Sequence, residues 1–438
     1  MNRLKQLWSN LRESLWLPPA LIVTFSILLA MGLVELEASG SQSWMDAWPR
    51  LFGVGAAGAR EILATIAGSM MTVVGVTFSM TLVTLALASS QYTSRILRNF
   101  MSDHATQIVL GTFAGIFTYC LIVLRAIRAD DESAFVPRLA VTFGVVLAIG
   151  GIGTLIFFIH HIASSIQASS IIASVTKETL TAVDRLFPET LGDEPLGDDA
   201  ESLHPRPTPV RNWQAVMADC DGYLQSVDQA TLLDLARTHK TVVRMDRGIG
   251  EFVVRCTPLA SLALDGPPEE EVAAALRAAY SIARNRTVQQ DCAFGIRQLV
   301  DMALRALSPG INDTTTAVMC VDYLTAILAR LATRDEPLSH RYEDGELRVI
   351  SIGQTFAGLV AESFDEIRGS ADGNVAIMLR MLSALQTIAS LTDSQSRRRV
   401  LREQAACIAE LVARTVASPR DKDRLEQRFA RVREALDA

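Results

Sequence analysis

Long runs of apolar residues dominate the first 165 positions of the chain, and a polar sequence with helical periodicity follows them. The runs cover about residues 20–36, 62–88, 108–124 and 136–162. A helix needs roughly 20 mostly apolar residues to cross the hydrocarbon core of a bilayer, and soluble core helices rarely stay uncharged for so long. The pattern therefore predicts four membrane-spanning helices in a transmembrane domain at residues 1–165.

The charged residues between these runs predict their orientation. The N-terminal segment carries Arg3, Lys5 and Arg12, and the loop after the second run carries Arg95 and Arg98. The other two loops are balanced or acidic. Loops rich in arginine and lysine stay on the cytoplasmic side of a membrane. Both termini, and everything after the fourth run, are therefore expected in the cytoplasm.

The remaining residues predict a large cytoplasmic part with three segments. Residues 166–210 are typical of a helical extension of the fourth span, followed by an acidic, proline-rich linker. Residues 211–265 include apolar and polar side chains in alternation, with turns at Gly248 and Gly250, and predict a small mixed α/β segment. Residues 266–438 show helical patterns throughout. The expected fold class is mainly α: a four-helix transmembrane unit followed by a large α-rich cytoplasmic domain with a small β element.

Composition and motifs argue against several classes of function. The net charge of −7 is unlike that of nucleic-acid-binding proteins, which are normally basic. None of the six cysteines stands in a CxxC pair or at a spacing typical of zinc ligands. The chain also lacks the glycine-rich, lysine-containing loop that binds nucleotide phosphates. We therefore expect no nucleic acid, no metal, no cofactor and no enzymatic activity.

Small and hydroxyl side chains recur along one side of the second apolar run. Four of them fall on a single stripe at about 100° per residue: Thr65, Ser69, Thr72 and Ser79. Val76, Val83 and Ser90 lie on the same stripe. Small residues let membrane helices pack closely, which favours a contact face inside the four-helix unit. Hydroxyl groups can also replace part of an ion's hydration shell, so a lining for a narrow pore is the alternative.

Ionisable side chains are missing from the middle of all four apolar runs. Coupled transporters usually place an acidic or basic side chain there, because it carries the proton or ion. A passive path through the membrane, or no path at all, is therefore expected rather than coupled transport.

The densest polar pattern lies between residues 286 and 313. Its side chains are predicted to gather on one stripe of a buried helix and in the turn that ends it: Arg286, Asp291, Arg297, Gln298, Asp301, Arg305, Asn312 and Asp313. Arginine and aspartate four residues apart can pair along a helix, which favours a structural ion-pair network. The excess of arginine leaves a second interpretation open, a site for an anionic ligand or a partner's carboxylate. Carboxylates beside arginines are poor general acids, so catalysis is not expected here.

Two long blocks of the chain resemble a known bacterial family. They are FSMTLVTLALASSQYTSRILRNFMSDHATQIVLGTF at residues 78–113 and RTVQQDCAFGIRQLVDMALRALSPGINDTTTA at residues 286–317. In sequence and in order they resemble the predicted membrane proteins of domain-of-unknown-function family 2254. The resemblance implies a multi-pass protein of the bacterial inner membrane with four spans, and it implies no catalytic residues. Thr314 stands where proline is frequent in the family, which makes the capping turn less rigid.

These observations support two functional hypotheses. The first is a passive channel for ions or small solutes, gated by the cytoplasmic domain. Four spans leave little room for a path within one copy, so we expect a homo-oligomer with its pore at a symmetric interface. The alternative is a membrane-anchored sensor or scaffold that binds an anionic ligand or a protein partner through its cytoplasmic domain. Membrane lipid is an expected partner in both cases.

Overall fold

A computed structural model of the chain describes residues 16–39, 55–91, 104–128, 135–165, 167–187, 212–337, 339–343 and 345–437. The chain divides into two compact units, Met1–Ser170 (unit 1) and Ile171–Ala438 (unit 2). The arginines and the lysine that predict the orientation, at residues 3, 5, 12, 95 and 98, lie outside the described residues. The acidic, proline-rich linker at residues 188–211 also lies outside them.

Each of the four apolar runs forms one helix of unit 1. The helices are α1 (Leu17–Ser39), α2 (Ala56–Gln91), α3 (His104–Ala126) and α4 (Arg138–Ser165). All four are long and apolar enough to cross a membrane. With 36 residues, α2 is about 54 Å long at about 1.5 Å per residue, well beyond the roughly 30 Å of a hydrocarbon core.

Helix α3 packs against the other three helices of unit 1, and its Tyr119 is fully buried there. Two glycines at GxxxG spacing bring α1 close to it. A Cβ added at Gly111 would meet the backbone of Pro19 at 2.9 Å, and one added at Gly115 would meet Ser26 at 2.6 Å. Small residues at this spacing let two membrane helices approach closely, so these glycines set the α1–α3 contact.

Glu37 closes the beginning of α4 from the end of α1. Its carboxylate accepts hydrogen bonds from the backbone N–H groups of Leu139, at 2.8 Å, and Ala140, at 3.1 Å. The first N–H groups of a helix have no partner within the helix, and a negative charge is favourable there. One acidic residue therefore ties the ends of two apolar helices together.

Unit 2 is mostly helical as well. Its described helices are α5 (Ala168–Leu186), α6 (Gln229–Thr238), α7 (Glu270–Ala278), α8 (Cys292–Leu307), α9 (Thr314–Ala332), α10 (Phe356–Gly369), α11 (Val375–Ala389), α12 (Gln395–Thr415) and α13 (Pro419–Asp437). Its described strands are β1 (Trp213–Met217), β2 (Gly222–Val227), β3 (Val243–Met245), β4 (Phe252–Val253), β5 (Pro258–Ala263), β6 (Tyr280–Ala283), β7 (His340–Glu343) and β8 (Glu346–Ile350). The mainly α fold class with a small β element is confirmed.

The strands form two small sheets, in the orders β1-β5-β3-β8-β7 and β4-β2-β6. The prediction of helix alone after residue 266 is wrong at β6, β7 and β8. β8 pairs in parallel with β3, Val349 opposite Val243, and β6 pairs with β2. These later segments complete sheets that begin earlier in the chain. Strands of four or five residues are too short for their periodicity to distinguish them from a helical pattern.

Helix α9 also has the length and composition of a membrane span. Within unit 2, however, it packs against α8 and α11, and it carries charged side chains in ion pairs. Asp322 pairs with Arg380, and Arg330 pairs with Asp184. Packing on both sides explains its apolar sequence, as expected for the central helix of a helical core.

Helix α5 is fastened to the rest of unit 2 at two places. Thr179 lies against Gly295 of α8, where there is no room for a Cβ. Beyond the end of α5, the buried Arg334 donates a hydrogen bond to the carbonyl of Phe187 at 2.6 Å and pairs with Asp184 at 2.9 Å. Close packing and a charged cap together fix this helix in the core of unit 2.

Candidate functional site

Helix α2 has three distinct faces. One face packs against α3 and α4 through buried side chains such as Ala59, Leu63 and Met70. A second face exposes large apolar side chains, including Met71 and Phe78, which are 55% and 53% exposed. Large apolar side chains on the outside of a membrane helix are suited to lipid.

The third face is mostly small and polar, with the exposed Val76 and Val83 also on it. We call its small and hydroxyl residues the hydroxyl face: Thr65, Gly68, Ser69, Thr72, Gly75 and Ser79. All six residues are exposed, and a Cβ added at either glycine would meet nothing within 4 Å. The interpretation of this stripe as a packing face inside the four-helix unit is therefore wrong for the described helices. The wrong assignment arose because the sequence shows a stripe but not which side of the helix the neighbours occupy.

Two hydroxyl groups on this face, those of Ser69 and Thr72, donate to the backbone of their own helix. Ser69 donates to the carbonyl of Thr65 at 2.8 Å, and Thr72 donates to the carbonyl of Gly68 at 3.0 Å. A hydroxyl has one donor and two acceptor lone pairs. Once the donor is used within the helix, the outward side of the oxygen offers acceptors alone.

In unit 2, the polar pattern at residues 286–313 does not form one site. Its first part surrounds Asp291, which is 1% exposed and caps the beginning of α8 rather than lying within the helix. Its Oδ1 accepts from the N–H of Phe294 at 3.1 Å, and its two oxygens accept from Arg286 at 2.8 and 3.1 Å. The Arg286 guanidinium also lies 5.1 Å from the centre of the Phe294 ring, a favourable cation–π distance.

A loop and a glutamine complete the surroundings of Asp291. The amide of Gln354 donates to Asp291 Oδ1 at 2.8 Å, while its carbonyl accepts from the Cys292 thiol at 2.8 Å. Gly250 adopts φ +90°, and a Cβ there would lie 2.5 Å from Asp291. A residue with a side chain would be strained at this φ and would displace the carboxylate. Asp291 thereby connects the α/β segment, α8 and the loop before α10.

The middle of the pattern pairs with a different helix. Arg297 donates to Asp301 at 2.8 Å and to both oxygens of Glu366, and Glu362 lies 3.6 Å away. The hydrogen bond to Glu366 raises the pKa of Arg297 further above its ordinary value. Because α10 supplies two carboxylates, the positive excess seen along α8 alone does not exist around Arg297. This geometry supports a structural network more than a site for an anionic ligand.

The other predicted polar residues lie apart from these clusters. Gln298 is buried in α8, and Arg305 lies in its last turn. Asn312 is exposed in the turn with φ +50°, a conformation that asparagine tolerates. Asp313 caps α9 through the N–H of Thr316 at 3.0 Å. Hydrogen bonds from Thr316 lower the pKa of Asp313.

Several partners of these residues are absent from the sequence prediction. Gln354 and Gly250 are distant from Asp291 in sequence, and no periodicity connects them to it. Glu362 and Glu366 are different, because their four-residue spacing places two carboxylates on one side of α10. A pair of carboxylates on one helix and Arg297 on another have opposite charges. This complementarity is the sequence feature that could have predicted the α8–α10 contact.

The described residues do not combine into catalytic geometry at these places. Burial, followed by the charge of Asp291, raises the pKa of the Cys292 thiol to about 12. This thiol stays protonated near neutral pH and is a poor nucleophile. Among the described residues, no three histidine, cysteine or acidic side chains are grouped as metal ligands. The absence of enzymatic activity stays a prediction.

Comparison with known proteins gives one family. Residues 12–387 match the model of a family described as predicted membrane protein (DUF2254). Uncharacterized protein Mb1321c of Mycobacterium bovis and uncharacterized protein Rv1290c of Mycobacterium tuberculosis are each 31% identical to the chain. Both alignments cover 100% of this chain and 83% of the relative. No solved structure matches the chain.

Proposed function

This chain belongs to the DUF2254 family of predicted membrane proteins, and we propose that several copies form a passive channel lined by the hydroxyl face of α2. One observation carries the proposal. The face is uncharged and mostly small and polar, with Val76 and Val83 among its hydroxyl and glycine residues, and it is exposed in unit 1 while the opposite side of α2 is packed. A polar surface in lipid is unfavourable unless it meets other helices or water, so a contact between copies is its natural place.

Symmetry supports a path at that contact. Copies related by rotation place the same face of α2 around a common axis, as in most soluble and membrane homo-oligomers. The glycines then keep the axis open, because Gly68 and Gly75 project no side chain into it. The large apolar face, with Met71 and Phe78, is left for lipid.

The hydrogen bonds of the hydroxyl face favour cations as the permeant species. Ser69 and Thr72 use their donors on their own helix, so the outward side of these two hydroxyl groups offers acceptors alone. Oxygen acceptors can replace the hydration shell of a small cation but not that of an anion. Passive cation flux is therefore the proposed activity, with no ionisable residue to couple it to a second gradient.

We place the protein in the bacterial inner membrane with both termini, and unit 2, in the cytoplasm. The support for this orientation is the arginine and lysine excess in the N-terminal segment and in the loop after α2. Gating by unit 2 is part of the same proposal.

Flux through purified protein in liposomes tests the activity. Vesicles are loaded with potassium chloride, sodium chloride or glycerol, and efflux of each solute is followed. We expect potassium and sodium to leave faster than chloride or glycerol. Replacing Thr72 and Ser79 by leucine should abolish this flux, because two bulky apolar side chains then fill the path.

The matched control replaces Met71 and Phe78 by leucine on the lipid-facing side of the same helix, where flux should stay unchanged. Equal loss of flux in both double variants would show a general effect on α2 and contradict the proposal. No flux of any solute through folded, inserted wild-type protein would also contradict it.

The sensor or scaffold hypothesis has less support at residues 286–313. Arg286 is occupied by Asp291, and Arg297 by Asp301 and the acidic residues of α10. A ligand at this place would have to displace partly buried ion pairs, which is costly.

A further inference from the structure

Helices α12 and α13 form a hairpin, residues 395–437, that differs in charge from the rest of the chain. It carries eleven lysines and arginines against seven aspartates and glutamates, a net charge of +4, while the whole chain has −7. It also lies beyond the residues matched by the family model. A basic helical pair on an acidic protein suggests a separate electrostatic partner.

A groove with a volume of about 650 Å³ runs between the two helices of this hairpin. Alanines of α12, among them Ala405 and Ala409, line one side, and Leu425, Phe429 and Val432 of α13 line the other. From Arg402 to the level of Ala413 the groove is about 16 Å long at about 1.5 Å per residue. Ligand sites commonly have roughly 300 to 1,000 Å³ of mostly apolar space, so the groove has the size of a ligand site.

The charges at the two ends of the groove are unequal. At the end away from the turn, Arg402 donates to the carbonyl of Leu436 at 2.8 Å and to Asp437 at 3.2 Å. Arg433 lies at the same end and has no ion pair among the described residues. Among the described side chains, this end therefore has two arginines against one aspartate, an excess of one positive charge.

The end near the turn is electrically balanced. It holds Lys422 and Glu426, which stand one helical turn apart on α13. Charges of opposite sign at this spacing offset each other. The groove thus has one positively charged end, an apolar middle part, and an opposite end without net charge.

We propose that this groove binds a free long-chain fatty acid, with its carboxylate at Arg433 and Arg402 and its alkyl chain along the alanine side. The single carboxylate of a fatty acid matches the one positively charged end of the groove. Its unbranched alkyl chain matches a groove bounded by small alanines. An acidic helix of a protein partner would need positive charge at both ends of the groove, whereas only one end is positively charged. A second copy would bring another hairpin of the same positive charge.

Tryptophan quenching tests the proposal on the full chain in phosphatidylcholine nanodiscs. Phe429→Trp places a reporter in the groove, and the unsubstituted chain gives the background of its five native tryptophans. Dibromostearate should quench the reporter, while its uncharged methyl ester should bind at least about tenfold more weakly, because a charge-assisted hydrogen bond is lost. Added to the reporter chain, Arg433→Glu should weaken binding to the same degree, and Ala409→Phe should fill the groove and abolish it.

The matched control is Arg431→Glu, which changes the same charge two residues away on α13 but does not line the groove. Binding in this variant should equal that of the reporter chain. Equal quenching by the acid and the ester, or equal effects of the two charge reversals, would overturn the proposal. So would quenching by brominated phosphatidylglycerol in the disc without dibromostearate, or a reporter signal that changes with protein concentration alone.

Discussion

At the scale of single residues, Asp291 connects more of unit 2 than any motif indicates. Its carboxylate caps α8, pairs with Arg286 and accepts from Gln354, and Gly250 leaves the space that it needs. A buried carboxylate is costly unless it is paired and hydrogen-bonded, and here both conditions hold. The residue belongs to the structure of unit 2 rather than to a reaction.

Replacing Asp291 by alanine should destabilise unit 2 by about 3 kcal/mol, because it leaves the partly buried Arg286 and the amide of Gln354 without their carboxylate acceptor. Thermal unfolding followed by circular dichroism would show a lower midpoint. Asp234→Ala, at an exposed ion pair with Arg237, is the control and should cost less than about 1 kcal/mol. Equal shifts in the two variants would show that the Asp291 cluster has no special role.

The cap at Asp313 predicts a pH dependence. Its pKa in the folded state is lowered by hydrogen bonds from Thr316, so its ionised form stabilises the fold. That contribution is complete above the ordinary aspartate pKa of about 3.9 and is lost as the pH falls through the lower, folded-state pKa. Wild-type protein should therefore lose stability below about pH 4 more steeply than Asp313→Asn.

The measurement is the thermal midpoint of both proteins at neutral and acidic pH. At neutral pH the variant should be less stable by less than about 1 kcal/mol, because asparagine can still cap the helix and only the negative charge at the N-terminus of α9 is lost. Parallel pH profiles for the two proteins would show that Asp313 is not the linked group.

At the scale of elements, glycines distinguish the packed faces of the apolar helices from the open ones. Gly111 and Gly115 face α1 at close distance, whereas Gly150 and Gly153 of α4 have nothing within 4 Å of an added Cβ. The GxxxG spacing marks Gly111 and Gly115 in the sequence, but nothing in the sequence marks Gly150 and Gly153 as open. Only the position of the neighbouring helix separates the contacts from the free surface.

Gly111→Ala should therefore destabilise unit 1 by about 1 to 3 kcal/mol, because the new methyl group meets the backbone of Pro19 at 2.9 Å and cannot rotate away. Gly150→Ala should be neutral or slightly stabilising in the same helix bundle. The midpoint of thermal aggregation in detergent compares them. An unchanged midpoint in Gly111→Ala would contradict the close α1–α3 contact.

Sequence patterns predict long helices better than they predict which other elements those helices contact. The apolar runs of α1 to α4 are long enough to predict four helices, and the polar stripe of α8 predicts a buried helix. The short strands β6, β7 and β8 were missed because each is stabilised by pairing with distant residues. For the same reason, the hydroxyl face was visible in the sequence, but its exposure was not.

At the scale of the whole molecule, the two units differ in the kinds of side chain that they contain. Unit 1 holds apolar helices with an uncharged polar face on α2, and unit 2 holds nearly all of the described ion pairs. Ion pairs inside a helical core fix its structure, whereas a polar face without charge in a membrane suits a passive path. The proposed cation channel therefore depends on α2, and its proposed gating depends on unit 2.

Chemical modification of α2 in a conducting preparation tests this account most directly. Ser79→Cys and Thr72→Cys introduce single thiols on the hydroxyl face, and Met71→Cys introduces one on the lipid-facing side. A small cationic methanethiosulfonate reagent, added to liposomes during potassium efflux, reacts with thiols that contact water. We predict that it blocks efflux through the Ser79→Cys and Thr72→Cys proteins and leaves Met71→Cys and the unsubstituted chain unaffected. Unchanged efflux in the two hydroxyl-face variants, with mass spectrometry showing that both thiols were modified, would contradict a path along α2.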